Sequence, residues 1–277
     1  MVLRSREGIS PFSKQESTML KAVLFDLDNT LIHFGERQFF QGYIPAITRV
    51  FADIMPGDLF LERLLSSTRA VLDNNGQALN VDCFMKVFCK DYEPHKAEFW
   101  KRFMTFYETE YDQFRSLASA SPGAREMILQ LREKSLKLVI ASNPLWPSIA
   151  QNKRLAWAGL GDLQFDLITH IENMTYCKPK VEYYQEVCLM IGERPEACLM
   201  VGNDPVNDMV VGTIGMKTYL VTDSDPSGLE VSRSVHRLTT ADIPKPDFEG
   251  PLLAVPEAAK ALLWNNASDQ DNRDGGR

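Results

Sequence analysis

The stretch MLKAVLFDLDNT, Met19 to Thr30, decides how the rest of the chain is read. AVLFDL (22–27) is a short apolar run that ends in acidic and turn-prone residues, the mark of a buried strand reaching the edge of a sheet. LKLVIASNP (136–144) and ACLMVGNDP (197–205) repeat the pattern, and FDLIT (165–169) and KTYLV (217–221) are shorter candidates. Between them PGAREMILQLREKS (122–135), PSIAQNKRLAWAGL (147–160) and VEYYQEVCLMIG (181–192) have helical starts or stops in Pro and Gly. Strands alternating with helices predict an α/β fold, a parallel sheet with helices on both faces and ligands bound beyond the carboxyl ends of the strands.

Residues 33–120 break the alternation. They are rich in helix formers and rings, among them Phe39, Phe40, Tyr43, Phe51, Phe60, Phe84, Phe88, Trp100, Phe103, Phe106, Tyr107, Tyr111 and Phe114. That composition predicts a helical insertion in which most rings serve packing. Two segments, 19–32 and 121–264, then make the core. Past Thr222 the chain reads as loop until a last helix at 255–264, and residues 1–18 and 265–277 are polar and predicted to be disordered.

The net charge of −7 argues against broad nucleic-acid binding, which needs a basic face. No apolar run is long enough for a membrane span and no secretory leader precedes Met19, so the expected location is cytoplasmic. Five cysteines, Cys83, Cys89, Cys177, Cys188 and Cys198, form no CxxC pair and are expected as reduced thiols. None of the four histidines falls in a metal-ligand spacing, and the sequence leaves the oligomeric state open.

Four polar motifs follow the apolar strands: Asp26-Leu-Asp28-Asn-Thr30, Ser142-Asn143-Pro144, Lys178-Pro179 and Gly202-Asn203-Asp204-Pro-Val-Asn207-Asp208. Each alone also fits a bland reading. Acids and Ser-Asn-Pro suit turns, Lys178 suits a solvated surface, and Asp208 suits a first-turn helix acid. Their order and placement after successive strands are more specific.

Together, over residues 20 to about 222, they resemble the haloacid dehalogenase superfamily in its branch with a helical cap. The resemblance implies a Rossmann-like core with the cap at 33–120, Asp26 as nucleophile and Asp28 as general acid and base. It assigns Thr30, Ser142, Asn143 and Lys178 to the phosphate-binding loops, with Thr30 bracing its loop. It implies Mg²⁺ held by Asp26, by the main-chain carbonyl of Asp28 and by one oxygen of the acidic loop. That oxygen belongs to Asn203 by distance from the glycine or to Asp204 by its step to Asp208, and the stronger carboxylate favours Asp204, with Asp208 acting through water. Relatives usually carry Gly-Asp where this chain has Gly202-Asn203, and Pro where it has Val181.

The expected activity is Mg²⁺-dependent hydrolysis of a small phosphorylated metabolite through an aspartyl-phosphate. A cation removes the repulsion between carboxylate and phosphate dianion, Lys178 and Ser142 stabilise the transferring group, and Asp28 protonates the leaving oxygen. A dehalogenase needs no acid for a departing halide, so Asp28 argues against it, and it argues equally against a phosphonate hydrolase. A phosphomutase shares every motif, and a catalytically weak binding protein would have no need of the intact set. Of the cap, His33, Arg37 and Arg102 are residues that could meet a substrate.

Overall fold

A computed structural model of the chain describes residues 19–224 and 245–264. The expectations of disorder at 1–18 and 265–277 lie outside the described residues. Strand β1 (Ala22–Phe25) is the centre of a six-stranded sheet whose order is β5-β4-β1-β6-β7-β8. Its neighbours are β4 (Lys137–Ile140) and β6 (Cys198–Gly202), and the sheet continues through β5 (Leu167–Ile168), β7 (Lys217–Val221) and β8 (Phe248–Gly250). Every pairing is parallel.

All four residues of β1 are buried, and successive side chains enter different cores. Val23 and Phe25 join Leu138, Ile140, Leu199 and Val201 on one face. There they meet α5 (Ala124–Arg132), α6 (Ser148–Trp157) and α8 (Val255–Trp264). Ala22 and Leu24 join Val139 and Met200 on the other, covered by α7 (Val181–Ile191). This double cover is why the strands read as continuous apolar runs.

Two elements depart from the expectation. The segment past Thr222 is not loop throughout: Phe248–Gly250 adds a sixth strand beside β7. It is too short to carry a hydrophobic period, and the sheet edge selects it. The second departure lies at the ends of the insertion, which are strands. β2 (Ile32–Phe34) pairs antiparallel with β3 (Ala118–Ala120), Ile32 opposite Ala120 and Phe34 opposite Ala118, so both ends of the insertion leave the core together.

Between them stand α1 (Glu36–Arg49), α2 (Gly57–Leu72), α3 (Asn80–Phe88) and α4 (Lys96–Thr109). Phe51 is fully buried among Phe60, Phe88, Phe99 and Phe103, with ring centroids 4.8–5.6 Å apart. A second cluster around Phe39 includes Tyr43, Tyr111 and Phe114 and crosses to Trp146 of the core. Most of the rings serve packing as expected; Phe40 is 46% exposed, and Trp100 is half-buried against the core. All five cysteines are free thiols, and no helix among the described residues is long and apolar enough to cross a membrane.

Replacing Phe51 by Ala removes the ring on which four others pack. The expected loss of stability is roughly 3–5 kcal/mol, measured by urea unfolding. An unchanged midpoint would show that the insertion is not organised around this ring.

Candidate active site

Register assembles the site. Phe25 lies opposite Ile140 in β4 and Val201 in β6. The N–H of Asp26 donates to the carbonyl of Val201 at 2.9 Å, and the N–H of Ala141 donates to the carbonyl of Phe25 at 2.7 Å. Three chains therefore leave the sheet side by side, delivering Asp26, Ser142 and Asn203 to one edge. Lys178 arrives from the loop before α7.

These residues line a cavity of about 150 Å³ together with Asp28, Glu36, Asn143, Asp204, Asn207 and Asp208. Lys178 is its electrostatic centre. The buried ammonium donates to Asp26 Oδ1 and to Asp208 Oδ1, both at 2.7 Å. Burial alone would lower the lysine pKa, but Asp208 and Asp26 hold it well above its usual value. Burial raises the Asp26 carboxyl despite Lys178, and nearby Asp28 and Asp204 add to the rise. It raises Asp208 likewise.

The first loop turns at Asn29, whose φ of 60° lies in the left-handed region that Asn tolerates. Thr30 is buried beneath the cavity and does not line it. Its hydroxyl donates at 3.0 Å to Asn203 Oδ1, with Asp26 Oδ2 at 3.5 Å, so it ties the first loop to the acidic loop. The hydroxyl thus makes the bracing contact expected of Thr30. Ser142 does reach the cavity, its carbonyl fixed by the hydroxyls of Thr169 at 2.7 Å and Tyr183 at 2.8 Å.

In the acidic loop Asp204 largely serves its own turn. Asp204 Oδ1 accepts the N–H groups of Val206 (2.8 Å) and Asn207 (3.2 Å), and Oδ2 accepts Asn207 Nδ2 at 2.6 Å. Asp208 Oδ2 accepts the N–H of Asp204 at 3.0 Å. A Cβ at Gly202 would overlap the Asp208 carboxylate, so the glycine that opens this motif is a steric requirement.

Two charged residues at the site escaped the sequence reading. Arg154 of α6 is buried, with Nη1 donating to Asp28 Oδ2 at 2.7 Å and Nε to the Tyr111 hydroxyl at 3.1 Å. Its guanidinium lies 4.5 Å from the Phe34 ring centroid and 4.7 Å from that of Trp146, at cation–π distance. The signal was a cation on the inner face of α6, four residues beyond buried Ala150. Glu36, the first residue of α1, lines the cavity, and burial followed by repulsion from Asp28 raises its pKa. A first-turn acid gives no sequence signal of this kind. His33, Arg37 and Arg102 do not line the cavity. Arg102 instead binds Asp53 and Glu98 on the insertion.

Five carboxylates, Asp26, Asp28, Glu36, Asp204 and Asp208, thus face one ammonium on the cavity wall. Asp28 Oδ1 and Asn143 Oδ1 are buried without a hydrogen-bond partner. An excess of oxygen ligands and negative charge fits a hard divalent cation. Among the described residues no three His, Cys, Asp or Glu side chains are grouped to hold a metal by themselves, so a cation here would also take amide or main-chain oxygens.

Replacing Arg154 by Met strips Asp28 of its partner. The expected cost is roughly 3 kcal/mol of folding stability by urea titration, the lower end for breaking a buried pair because Asp28 keeps some exposure. No loss would mean that the pair contributes little to the fold.

The model of the haloacid dehalogenase-like hydrolase family matches residues 20–212. Among solved structures, a HAD phosphatase from Thermococcus onnurineus is similar at 20% identity and a TM-score of 0.50, covering 86% of this chain and 97% of its own. The L-2-haloacid dehalogenase from Xanthobacter autotrophicus is similar at 17% identity and a TM-score of 0.50, covering 87% and 99%. No curated protein matches the sequence. These likenesses show the fold and leave the phosphatase and dehalogenase chemistries both represented. The family model spans well over half of the residues, and the chain belongs to the haloacid dehalogenase-like hydrolase family.

Proposed function

We propose that the chain hydrolyses a phosphate monoester with Mg²⁺, forming a phosphoryl ester on Asp26. The observation that carries this reading is Asp28. Its Oδ2 is pinned by Arg154, while its Oδ1 is buried without a partner beside the nucleophile. A second carboxyl placed this way serves a leaving alkoxide, which needs a proton, and has no task when a halide leaves.

Lys178 binds Asp26 Oδ1, leaving Oδ2 as the attacking oxygen. As the bond from Oδ2 to phosphorus forms, the bond to the ester oxygen breaks, and that oxygen takes the proton from Asp28 Oδ1. Water then attacks phosphorus, returns a proton to Asp28 and releases the Asp26 carboxylate with inorganic phosphate. Lys178 and the hydroxyl of Ser142 stabilise the transferring group. Asp26, the main-chain carbonyl of Asp28, and Asp204 or Asn203 are the groups to hold Mg²⁺, with Asp208 near them. When bound, the ion offsets the negative charge of carboxylates and phosphate alike.

Phosphate release from a panel of phosphate esters, with and without Mg²⁺, tests the reading. Release should require the ion, and Asp26→Asn should reduce turnover by several orders of magnitude in a sample checked for deamidation. Chloride release from 2-chloropropionate with no phosphate release would establish the dehalogenase instead.

The acidic loop gives a second test. Asp204→Asn keeps an oxygen for the N–H groups of Val206 and Asn207 but removes the charge, so it should raise the Mg²⁺ concentration for half-maximal activity far more than Asn203→Ala. The reverse order would assign the ligand to Asn203.

A further inference from the structure

We infer that the ester's alcohol part is a long alkyl or aryl group, held in a second cavity between the helical insertion and the core; this rests on the phosphoester reading of the polar site. The cavity has a volume of about 400 Å³, within the roughly 300–1,000 Å³ of small-ligand pockets. Phe40, Tyr43, Leu64, Trp100, Phe103 and Trp146 are among its walls.

The wall carries few polar groups, and its three hydroxyls, those of Thr68, Tyr43 and Tyr107, each take part in a hydrogen bond. Thr68 Oγ1 donates to the carbonyl of Leu64 at 2.9 Å, and the hydroxyls of Tyr43 and Tyr107 bond each other at 2.7 Å. A sugar placed here would give up water for few replacement hydrogen bonds, whereas a hydrocarbon loses nothing. The rim is apolar and wet, with Leu65 59%, Phe40 46% and Leu61 36% exposed. Grouped at one mouth, these side chains make the apolar surface expected of a ligand entrance.

Two separate segments run from the polar cavity to this one. Along α1, Glu36 lines the first, while Phe40 and Tyr43 line the second, about 6 and 10 Å further along the helix axis at 1.5 Å per residue. Along the loop after β4, Asn143 lines the first, and Leu145 and Trp146 line the second. A phosphate at Lys178 therefore has an apolar compartment within a short chain's reach.

The test is a series of n-alkyl phosphates from two to ten carbons. The value of kcat/KM should rise roughly fourfold per methylene until the cavity fills, as expected for burial of CH₂ groups, and glucose 6-phosphate should react as poorly as the shortest member. A flat series, or preference for the sugar ester, overturns the inference. Thr68→Trp should flatten the rise by filling the space, and Leu65→Trp on the exposed rim does so without burdening the fold; an unchanged slope in a folded variant is contrary. Calorimetric binding of ethyl and decyl phosphonate separates the two readings. If no ester is hydrolysed yet decyl phosphonate binds much more tightly, the cavity assignment stands and the phosphohydrolase reading fails. Equal affinities overturn the cavity assignment itself.

Discussion

Burying a four-residue strand on both faces leaves its continuation nowhere to go but out past the sheet edge. Val23 and Phe25 fill one core, Ala22 and Leu24 the other, and the next residue is Asp26. Parallel pairing with β4 and β6 then sets Ser142 and Asn203 at the same level. The rest of the site follows from this register. A slip of one residue would exchange the faces of β1 and carry Asp26 away from both neighbours.

Crowding acids at that edge has an electrostatic cost that Lys178 and Arg154 meet differently. Lys178 bridges Asp26 and Asp208 and holds the first loop and the acidic loop together. Arg154 reaches Asp28 from behind, through a sheath of rings from β2 and the loop before α6. Such pairs give modest stability once desolvation is counted, but removing one partner strands a charge. They fix geometry more than they add stability. The helical insertion is anchored at the same point, since Tyr111 holds the Arg154 guanidinium that holds Asp28.

Much of this was legible in the sequence because it depends on local patterns. The runs 22–27, 136–144 and 197–205 show their double burial as unbroken apolar character, and α5, α6 and α7 fall within the segments expected for them. The motifs that end those strands converge because strand ends converge. What could not be read depends on contacts distant in sequence. β8 exists only because β7 offers an edge. The bond from Thr30 to Asn203, far along the chain, has no local signal. Arg154 looks like a surface cation until Asp28 and three rings are placed around it. Rings such as Phe40, Tyr43 and Trp100 border a cavity, and composition does not distinguish a ring that fills space from one that borders it.

If Asp26 carries the phosphoryl group as proposed, the adduct can be trapped. The protein is mixed with isotopically labelled para-nitrophenyl phosphate and Mg²⁺, quenched in acid within milliseconds, digested and mapped. Label should appear on the peptide containing Asp26 and be absent in Asp26→Asn. Phosphate released with no label on the protein at any quench time, or label on another residue, would contradict that proposal.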